Sequence, residues 1–407
     1  MNRHDPAHSA RLYFLDWVRI LAFFLLIVYH VGMYYVTWGW HVKSPFASTA
    51  PEPFMMMSSP WRLGLLFFIG GVAASLMLRT LGTAPFLRRR SLRLLLPLVF
   101  GMLVVVPPQS YFEVVEKLGY AGGYGDFMGL YLQGYGGFCQ DGCLKLPTWN
   151  HLWFVAYLWI YTMLLGGIVA ALGPRLDRVA ARLGTLLQGW KVIVLPAAVL
   201  ALARIALVER FPTNHAVVND WCNHAMSFLP FLLGALVARV PGFWSRPAPL
   251  RWQAFGIAAT GWTCLVMWDA VTWDIATPAA VAVLRPIMIG VYALMAWSAT
   301  VAACGFAVRH LDHDGPARRY LNEAIFPVYI LHQSLIVVLA HAMKPLRIAP
   351  APEALMLVVL TTTLSFGCFE LVRRVRLLRP LFGLAPEKVA PAVPVMRTAG
   401  TAVHAAA

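Results

Sequence analysis

Long apolar segments alternate with short separators rich in proline and glycine along nearly the whole chain. A helix needs about 20 mostly apolar residues to cross the hydrocarbon core of a bilayer, and ten segments have that character. The pattern therefore predicts an all-α, polytopic membrane protein with about ten transmembrane helices. We place the spans at residues 12–36, 60–80, 88–108, 149–172, 191–208, 221–240, 251–272, 284–309, 323–343 and 353–376.

Three segments outside these spans lack the apolar pattern. Residues 1–11 are polar and form a predicted N-terminal segment, and residues 109–148 form a long loop rich in glycine and tyrosine. The last segment, 385–407, is rich in alanine and proline and is predicted to be disordered. Residues 12–384 are predicted to form one transmembrane domain that includes the long loop.

Composition and charge agree with a membrane location. Hydrophobic residues make up 59% of the chain and charged residues 13%, whereas soluble domains carry about 25% charged residues. The net charge of +15 raises nucleic-acid binding as an alternative. However, 23 of the Lys and Arg residues fall at the termini or in even-numbered loops, and 8 fall on the opposite side. Basic residues accumulate on the cytoplasmic side. Both termini are therefore predicted to be cytoplasmic, and nucleic acid is not an expected partner.

Three ionisable residues interrupt the first predicted span: Asp16, Arg19 and His30. A charged side chain at the bilayer centre costs roughly 2.5–3.5 kcal/mol on insertion scales. At about 100° per residue, the three side chains share one stripe, with His30 roughly 16 Å beyond Arg19 along the axis. Asp16 and Arg19 are spaced to pair with each other. We interpret the stripe as functional. The structural alternative is a helix that faces the bundle interior with an ion pair at its foot.

Four arginines, Arg88, Arg89, Arg90 and Arg93, open the third predicted span. Arg90 and Arg93 are about one helical turn apart and can point the same way. Arginine binds phosphate through a bidentate fork, and a helix N-terminus adds a potential that favours anions. The cluster is therefore either a phosphate-binding site or an anchor for lipid head groups on the cytoplasmic side.

These residues resemble the signature of a known family. Asp16-x-x-Arg19, separated by ten intervening residues from His30, resembles the first-helix motif of the acyltransferase-3 family of integral membrane acyltransferases. Arg90-x-x-Arg93 followed by LLLP resembles the third-helix motif of the same family. The two motifs occur in the expected order and at the expected depth of a protein with ten predicted spans.

Further stretches carry the resemblance over about residues 12–384. NEAIFPVYILH at 322–332 resembles the late YxLH motif of the family. WHVKSP at 40–45, TWNHLWFV at 148–155 and LRPLFGL at 378–384 resemble the branch that succinylates osmoregulated periplasmic glucans. The sequence departs from the family where many members have a glutamate shortly after the fourth-helix tryptophan, because this chain has WFVAY there. A role for that glutamate is therefore not carried over.

The resemblance implies an enzyme of the bacterial inner membrane that moves an acyl group, acetyl or succinyl, from cytoplasmic acyl-CoA to a hydroxyl of a cell-envelope glycan. It makes His30 the catalytic residue, which acts as a general base or becomes acylated itself. It makes Arg90 and Arg93 the ligands of the CoA phosphates, with Arg89 beside them. Arg19 either lines the CoA path, with Asp16 supporting it, or forms a helix-packing ion pair with Asp16.

Other polar residues form the predicted surroundings of His30. His332 and Tyr329 lie on nearly the same face of the ninth predicted span, where they either support the site or bond across helices. His151, flanked by two tryptophans, either contacts the acceptor or belongs to the aromatic belt at the membrane surface. His41 and Trp40, just outside the first predicted span, are candidates for stacking on a sugar.

The cysteines permit a disulfide and do not indicate a metal site. Cys139 and Cys143 in the long loop either form a disulfide, which an oxidising periplasm permits, or remain free thiols. The four other cysteines fall in predicted spans. No metal is expected, because no cysteine pair or Cys/His cluster has zinc-site spacing.

The alternative function is a transporter or flippase for a glycan or a lipid-linked intermediate. Transporters are often built from internal repeats, and no repeat stands out in this sequence. A purely structural or sensory membrane protein would leave the alignment of Asp16, Arg19 and His30 unexplained. The acyltransferase interpretation accounts for the stripe and the arginine cluster together.

Overall fold

In the part of the chain that it describes, the computed structural model contains fifteen α-helices and a few short 3-10 or π turns. The residues that it describes are 12–140, 142–271 and 277–385. Within them, β-structure is limited to one isolated bridge between Cys139 and Cys143, so the all-α prediction is confirmed. The predicted N-terminal segment and the predicted disordered tail, from residue 386 onwards, lie outside the described residues.

Proline and glycine mark many of the helix ends. Proline stands at or next to the first residue of seven helices, where its fixed φ and missing N–H suit a helix start. The helices are α1 (Tyr13–Tyr35), α2 (Glu52–Ser58), α3 (Arg62–Leu81), α4 (Thr83–Phe100), α5 (Pro107–Leu118), α6 (Tyr124–Leu132), α7 (Trp153–Leu172), α8 (Arg175–Leu186), α9 (Lys191–Leu207), α10 (Trp221–Val237), α11 (Pro247–Val271), α12 (Pro278–His310), α13 (Pro316–Met343), α14 (Pro350–Arg374) and α15 (Leu378–Leu381).

The polytopic class is confirmed, although the number of spans differs from the ten predicted. Eight helical stretches of the described chain are long and apolar enough to cross a membrane. The predicted fifth span, α9, reaches that standard only together with α8, and the two helices meet at a bend of 112°. The predicted sixth span, α10, has 17 residues and is too short to count as a span. A polar loop precedes its first residue, Trp221, and the chain turns at Gly242 after the helix ends. The described residues therefore contain eight such spans, or nine if the bent pair is one.

The third predicted span begins earlier than expected. α4 starts at Thr83, ends at Phe100 and continues through a π-helical turn, Gly101–Val105, towards α5. Arg90 and Arg93 therefore lie about two and three turns inside α4. We predicted that a helix N-terminus would favour anion binding at Arg90 and Arg93. That prediction was wrong, because the dipole effect is confined to the first turn of a helix.

The predicted long loop, 109–148, contains most of α5 and all of α6. A disulfide joins Cys139 to Cys143 in it, which decides between the two alternatives left by the sequence. The segment also has an apolar cluster apart from the main core, formed by Val114, Phe127, Tyr131 and Phe138. This part of the chain is therefore a small folded unit, and its first helix, α5, reaches the functional site described below.

The end of α1 that carries His30 is held by polar contacts. Lys43 Nζ donates to the carbonyls of Met33 at 2.7 Å and Val36 at 2.6 Å, and a cation is favourable at a helix C-terminus. The Tyr35 hydroxyl donates to the buried Glu353 carboxylate at 2.8 Å. These bonds fix the position of the last turns of α1.

Helices α3 and α10 approach each other through glycines. A β-carbon at Gly71 would lie 1.8 Å from the Phe231 carbonyl oxygen, and one at Gly234 would lie 2.1 Å from the Phe68 carbonyl oxygen. Small residues at an interface allow the close backbone approach that drives helix association in membranes. The contact places α3, which begins at the functional site, against α10.

We expect the substitution Gly71→Leu to push α3 away from α10. Overpacking of a core costs about 1–3 kcal/mol or more, so thermal unfolding of the purified protein in detergent should occur several degrees below that of the wild type. Gly167→Leu on α7 is the matched control, because nothing lies within 4 Å of a β-carbon there. Equal losses in both variants would contradict the packing of α3 on α10.

Candidate active site

A cavity of about 680 Å³ lies at the end of the bundle where α1 ends and α3, α7 and α10 begin. His30 lines this cavity, which is bounded by aromatic and polar side chains. Other predicted site residues also line it: Trp40, His41, His151 and Tyr329. The structure thus brings together residues from three distant parts of the chain around the histidine of the first-helix stripe.

A hydrogen-bond chain orients the His30 imidazole. His30 Nδ1 lies 2.8 Å from His332 Nε2, and His332 Nδ1 lies 2.6 Å from the Tyr329 carbonyl oxygen. A carbonyl oxygen only accepts, so the network assigns the His332 proton to Nδ1, and its Nε2 then accepts from His30 Nδ1. With both rings neutral, the lone pair of His30 is on Nε2.

His332 is therefore the group that fixes the orientation and tautomer of His30. The His332 side chain is buried, and its ring stacks on that of His30 with 5.0 Å between centroids and 17° between planes. The hydroxyl of Tyr329 donates to the His151 carbonyl at 2.5 Å, so Tyr329 acts on His332 through its backbone. Sequence reasoning placed His332 and Tyr329 on one face but did not pair His332 with His30.

His151 is buried rather than exposed in an interfacial belt. It is 6% exposed, and its Nε2 lies 3.0 Å from the Ile330 carbonyl, to which it donates. Its Nδ1 lies 3.2 Å from Gln109 Nε2 and accepts from that amide. Because both ring nitrogens have partners, His151 shapes the cavity wall beside His332, whose ring meets it edge-on at 5.2 Å.

His41 belongs to a second polar chain on the cavity wall. Its Nδ1 donates to the Glu113 carboxylate at 2.5 Å, and its Nε2 accepts from Gln333 Nε2 at 3.0 Å. Glu113 also accepts from Lys117 at 2.6 Å. Trp40 packs beside His41 with 5.7 Å between ring centroids. Gln333, Glu113 and Lys117 were missed by the sequence analysis, because His41 meets Gln333 and Glu113 from a distant part of the chain.

Several histidines and one glutamate surround the cavity, and this raises the question of a metal site. In residues 12–140, 142–271 and 277–385, no group of three or more His, Cys, Asp and Glu side chains is arranged to hold a metal ion. The histidines bond instead to each other, to amides and to backbone carbonyls.

The start of the stripe lies away from the cavity and has a further partner that the sequence did not predict. Asp16 forms an ion pair with Arg318, which is 1% exposed and also bonds Asp314 at 2.7 Å. Arg318 was counted as a loop cation, whereas the structure buries it at the beginning of α13. Asp16 lies 3.7 Å from Arg19, as the spacing predicted. Arg19 also donates to the Asn322 side chain.

The arginine cluster lies towards the end of the bundle where α1 and α4 begin. Arg90 is half-buried, its Nε makes no hydrogen bond, and the charges of Arg93 and Arg19 both act on it. Arg89 and Arg93 are exposed. None of the four described arginines named here lines the His30 cavity. The cluster and the cavity are therefore two separate parts of the candidate site.

Sequence reasoning also missed a buried cation in the cavity. Arg62 was counted among the basic residues of the outer side, but it is 5% exposed and lines the cavity. Its guanidinium carbon lies 3.2 Å from the centroid of the Tyr29 ring. Arg204, which lies inside the predicted fifth span, has its guanidinium carbon 4.2 Å from the Tyr292 ring centroid and lines the same cavity.

The fold and the site define a multi-pass membrane protein with a histidine pair beside an internal cavity and a separate arginine cluster. A family model described as an acyltransferase domain, that of the acyltransferase-3 family, matches residues 12–370. The chain belongs to this family and is a membrane acyltransferase that transfers groups other than amino-acyl groups. Neither a curated protein nor a solved structure matches the chain significantly.

The ion pairs of Arg318 yield a stability prediction. Arg318→Gln leaves Asp16 beside the buried end of α13, and breaking a buried pair costs about 3–5 kcal/mol. Arg319→Gln is the control, because Arg319 pairs with the same Asp314 at 2.6 Å but is 69% exposed, and exposed pairs contribute about 0–1 kcal/mol. Thermal unfolding in detergent should fall markedly for the first variant only; equal melting temperatures would contradict this interpretation.

Proposed function

We propose that this enzyme moves an acetyl or succinyl group from cytoplasmic acyl-CoA to a hydroxyl of a cell-envelope carbohydrate, with His30 as the catalytic residue. The observation that carries the proposal is the hydrogen-bond chain from the Tyr329 carbonyl through His332 to His30. That chain leaves the Nε2 lone pair of His30 available in a residue that lines a substrate-sized cavity.

His30 acts as a general base on the acceptor hydroxyl. Its Nε2 takes the hydroxyl proton while the oxygen adds to the thioester carbonyl carbon. The new C–O bond is kept when the C–S bond breaks, and the proton passes to the thiolate sulfur, so CoA leaves as a thiol. His332 is a positioning residue that holds the imidazole, as the third member of a catalytic triad does. An acyl-histidine formed on the same nitrogen is the alternative route.

The CoA head group binds at the arginine cluster. Arg90 and Arg93, with Arg19 and Arg89 beside them, supply guanidinium groups for the phosphates. The mutual repulsion of Arg19, Arg90 and Arg93, and the buried Arg90 Nε that makes no hydrogen bond, support an anion as the missing partner. Asp16, held by Arg318, fixes the position of Arg19.

The thin pantetheine arm then reaches from Arg19 to His30, a distance of roughly 16 Å along α1. Phe23 lies on the same stripe between them, and its ring packs on Tyr329 with 5.3 Å between centroids. Phe23 must therefore move aside when the pantetheine arm enters.

The carbohydrate acceptor enters from the cavity end of the bundle. Trp40, Trp149 and Trp153 line the cavity, and their rings can cover the apolar faces of a sugar while polar lining groups bond its hydroxyls. His41 and His151 shape this space through the bonds described above. The resemblance to the glucan-succinylating branch supports a periplasmic glucan as acceptor, and the distribution of basic residues supports cytoplasmic termini in an inner membrane.

We expect His30→Gln to lower kcat by about 10²–10⁴-fold, the contribution of a general base. His332→Phe keeps the packing but removes the acceptor of the Nδ1 hydrogen bond, so it should lower kcat by a smaller factor. The assay follows thiol release from acyl-CoA in proteoliposomes and the mass of the acylated carbohydrate. His341→Gln, outside the cavity lining, is the control. Wild-type turnover by His30→Gln would be incompatible with the proposal.

The donor site can be tested with truncated donors. Arg90→Gln and Arg93→Gln should raise KM for acyl-CoA at least tenfold, since each lost bidentate phosphate contact removes about 1.5–3 kcal/mol. The same variants should leave KM for the corresponding acyl-pantetheine, which lacks the phosphates, nearly unchanged. Arg79→Gln is the control, because Arg79 is exposed in the last turn of α3 and lies outside the cluster. Equal effects on both donors would mean that these arginines support the fold rather than bind CoA.

A further inference from the structure

Arg62 is the first residue of α3, and its side chain faces the same cavity as His30. The guanidinium lies against the Tyr29 ring, with 3.2 Å between the guanidinium carbon and the ring centroid. Tyr29 directly precedes His30 on α1, and the charge of Arg62 acts on the His30 ring. The contact with Tyr29 therefore holds a cation beside the candidate base.

The guanidinium lacks the partners that a buried cation normally has. Its Nε and Nη1 are buried and make no hydrogen bond. Removal of an ion from water costs several kcal/mol, and a desolvated cation–π contact returns about 2 kcal/mol. The contacts with Tyr29 therefore compensate the burial of Arg62 only in part.

No lining side chain of the described cavity neutralises Arg62. The single carboxylate among the described lining residues belongs to Glu113, which already bonds His41 and Lys117. Arg204 and Lys117 add two further positive charges to the walls. The cavity thus carries more positive than negative charge, and a negatively charged group on a bound molecule would balance the excess.

The proposed reaction creates such a group. When the acceptor oxygen adds to the thioester carbonyl carbon, the C=O electron pair moves onto the carbonyl oxygen. A preorganised buried cation stabilises this oxyanion far more than it stabilises the neutral carbonyl. The electron pair then re-forms the C=O bond as the C–S bond breaks, so no other reactant is required.

We propose that Arg62 is a second catalytic residue, which binds the thioester carbonyl oxygen and stabilises the oxyanion of the tetrahedral intermediate opposite His30. This inference rests on the proposed function, because it assigns the oxygen of the same reacting carbonyl. The base and the cation that stabilises the oxyanion then lie on different helices, His30 on α1 and Arg62 on α3.

The test is steady-state kinetics of the full chain in proteoliposomes with acetyl-CoA and succinyl-CoA. Arg62→Met and Arg62→Gln should lower kcat by about 10²–10³-fold, as the loss of an oxyanion-hole donor does, with KM for the donor changed less than threefold. Arg62→Lys should keep part of the activity. Arg204→Gln is the matched control, because it removes another ring-stacked cation of the same cavity, and its kcat should fall less than tenfold.

Thermal unfolding separates catalysis from structure. Because Arg62 is buried without full hydrogen bonding, Arg62→Met should melt at the wild-type temperature or above it while kcat falls. A joint fall of melting temperature and kcat in the Met and Lys variants would assign Arg62 to the cavity structure and overturn the proposal. An unchanged kcat would overturn it as well.

The two acyl donors and the His30→Gln variant distinguish the remaining outcomes. A defect confined to succinyl-CoA and expressed as a higher KM would mean that Arg62 binds the terminal carboxylate of the acyl chain, which overturns the oxyanion role. A wild type that transfers neither acyl group, or a fully active His30→Gln, would instead refute the proposed function. An active wild type that depends on His30 but not on Arg62 refutes this inference alone.

Discussion

The contact between α1 and α13 is the constraint on which the candidate site depends. Asp16 bonds Arg318 near the start of both helices, and His30 bonds His332 farther along them. The residue numbers rise together, so the two helices run parallel. Lipid chains are as apolar as leucine, and apolar packing alone distinguishes poorly between rotations of a helix. The two polar contacts therefore set the register and rotation that turn His30 towards the cavity.

The polar groups around the cavity fall into two kinds. His41, His151, Gln109 and Gln333 form bonds with each other or with backbone groups. Such a satisfied network is compatible with a stable and well-defined interior. Arg62 is the contrast, because its burial is only partly compensated by the Tyr29 ring. Proteins retain an uncompensated buried charge mainly where function requires it. The charge of Arg62 therefore indicates that the cavity is a reaction site and not only a packing defect.

Local pattern was sufficient for part of the candidate site. Helical spacing put Asp16, Arg19 and His30 on one stripe, and the Asp16–Arg19 contact follows from that spacing. The same reasoning failed for Arg62 and Arg318, because counting cations by side treats residues near span ends as loop residues. It also misplaced the start of α4, because Gly82 and Pro85 are typical of a turn, whereas the helix begins at Thr83.

The sequence by itself determined the all-α membrane class, the positions of most helices and the identity of the stripe. These properties depend on the apolar content of single segments and on a fixed rotation per residue. Only the tertiary structure decided that His30 bonds His332, which is 302 residues away, and that Arg62 shares its cavity. Contacts between distant helices depend on register, rotation and close approach at residues such as Gly71. None of these is encoded in the periodicity of one helix.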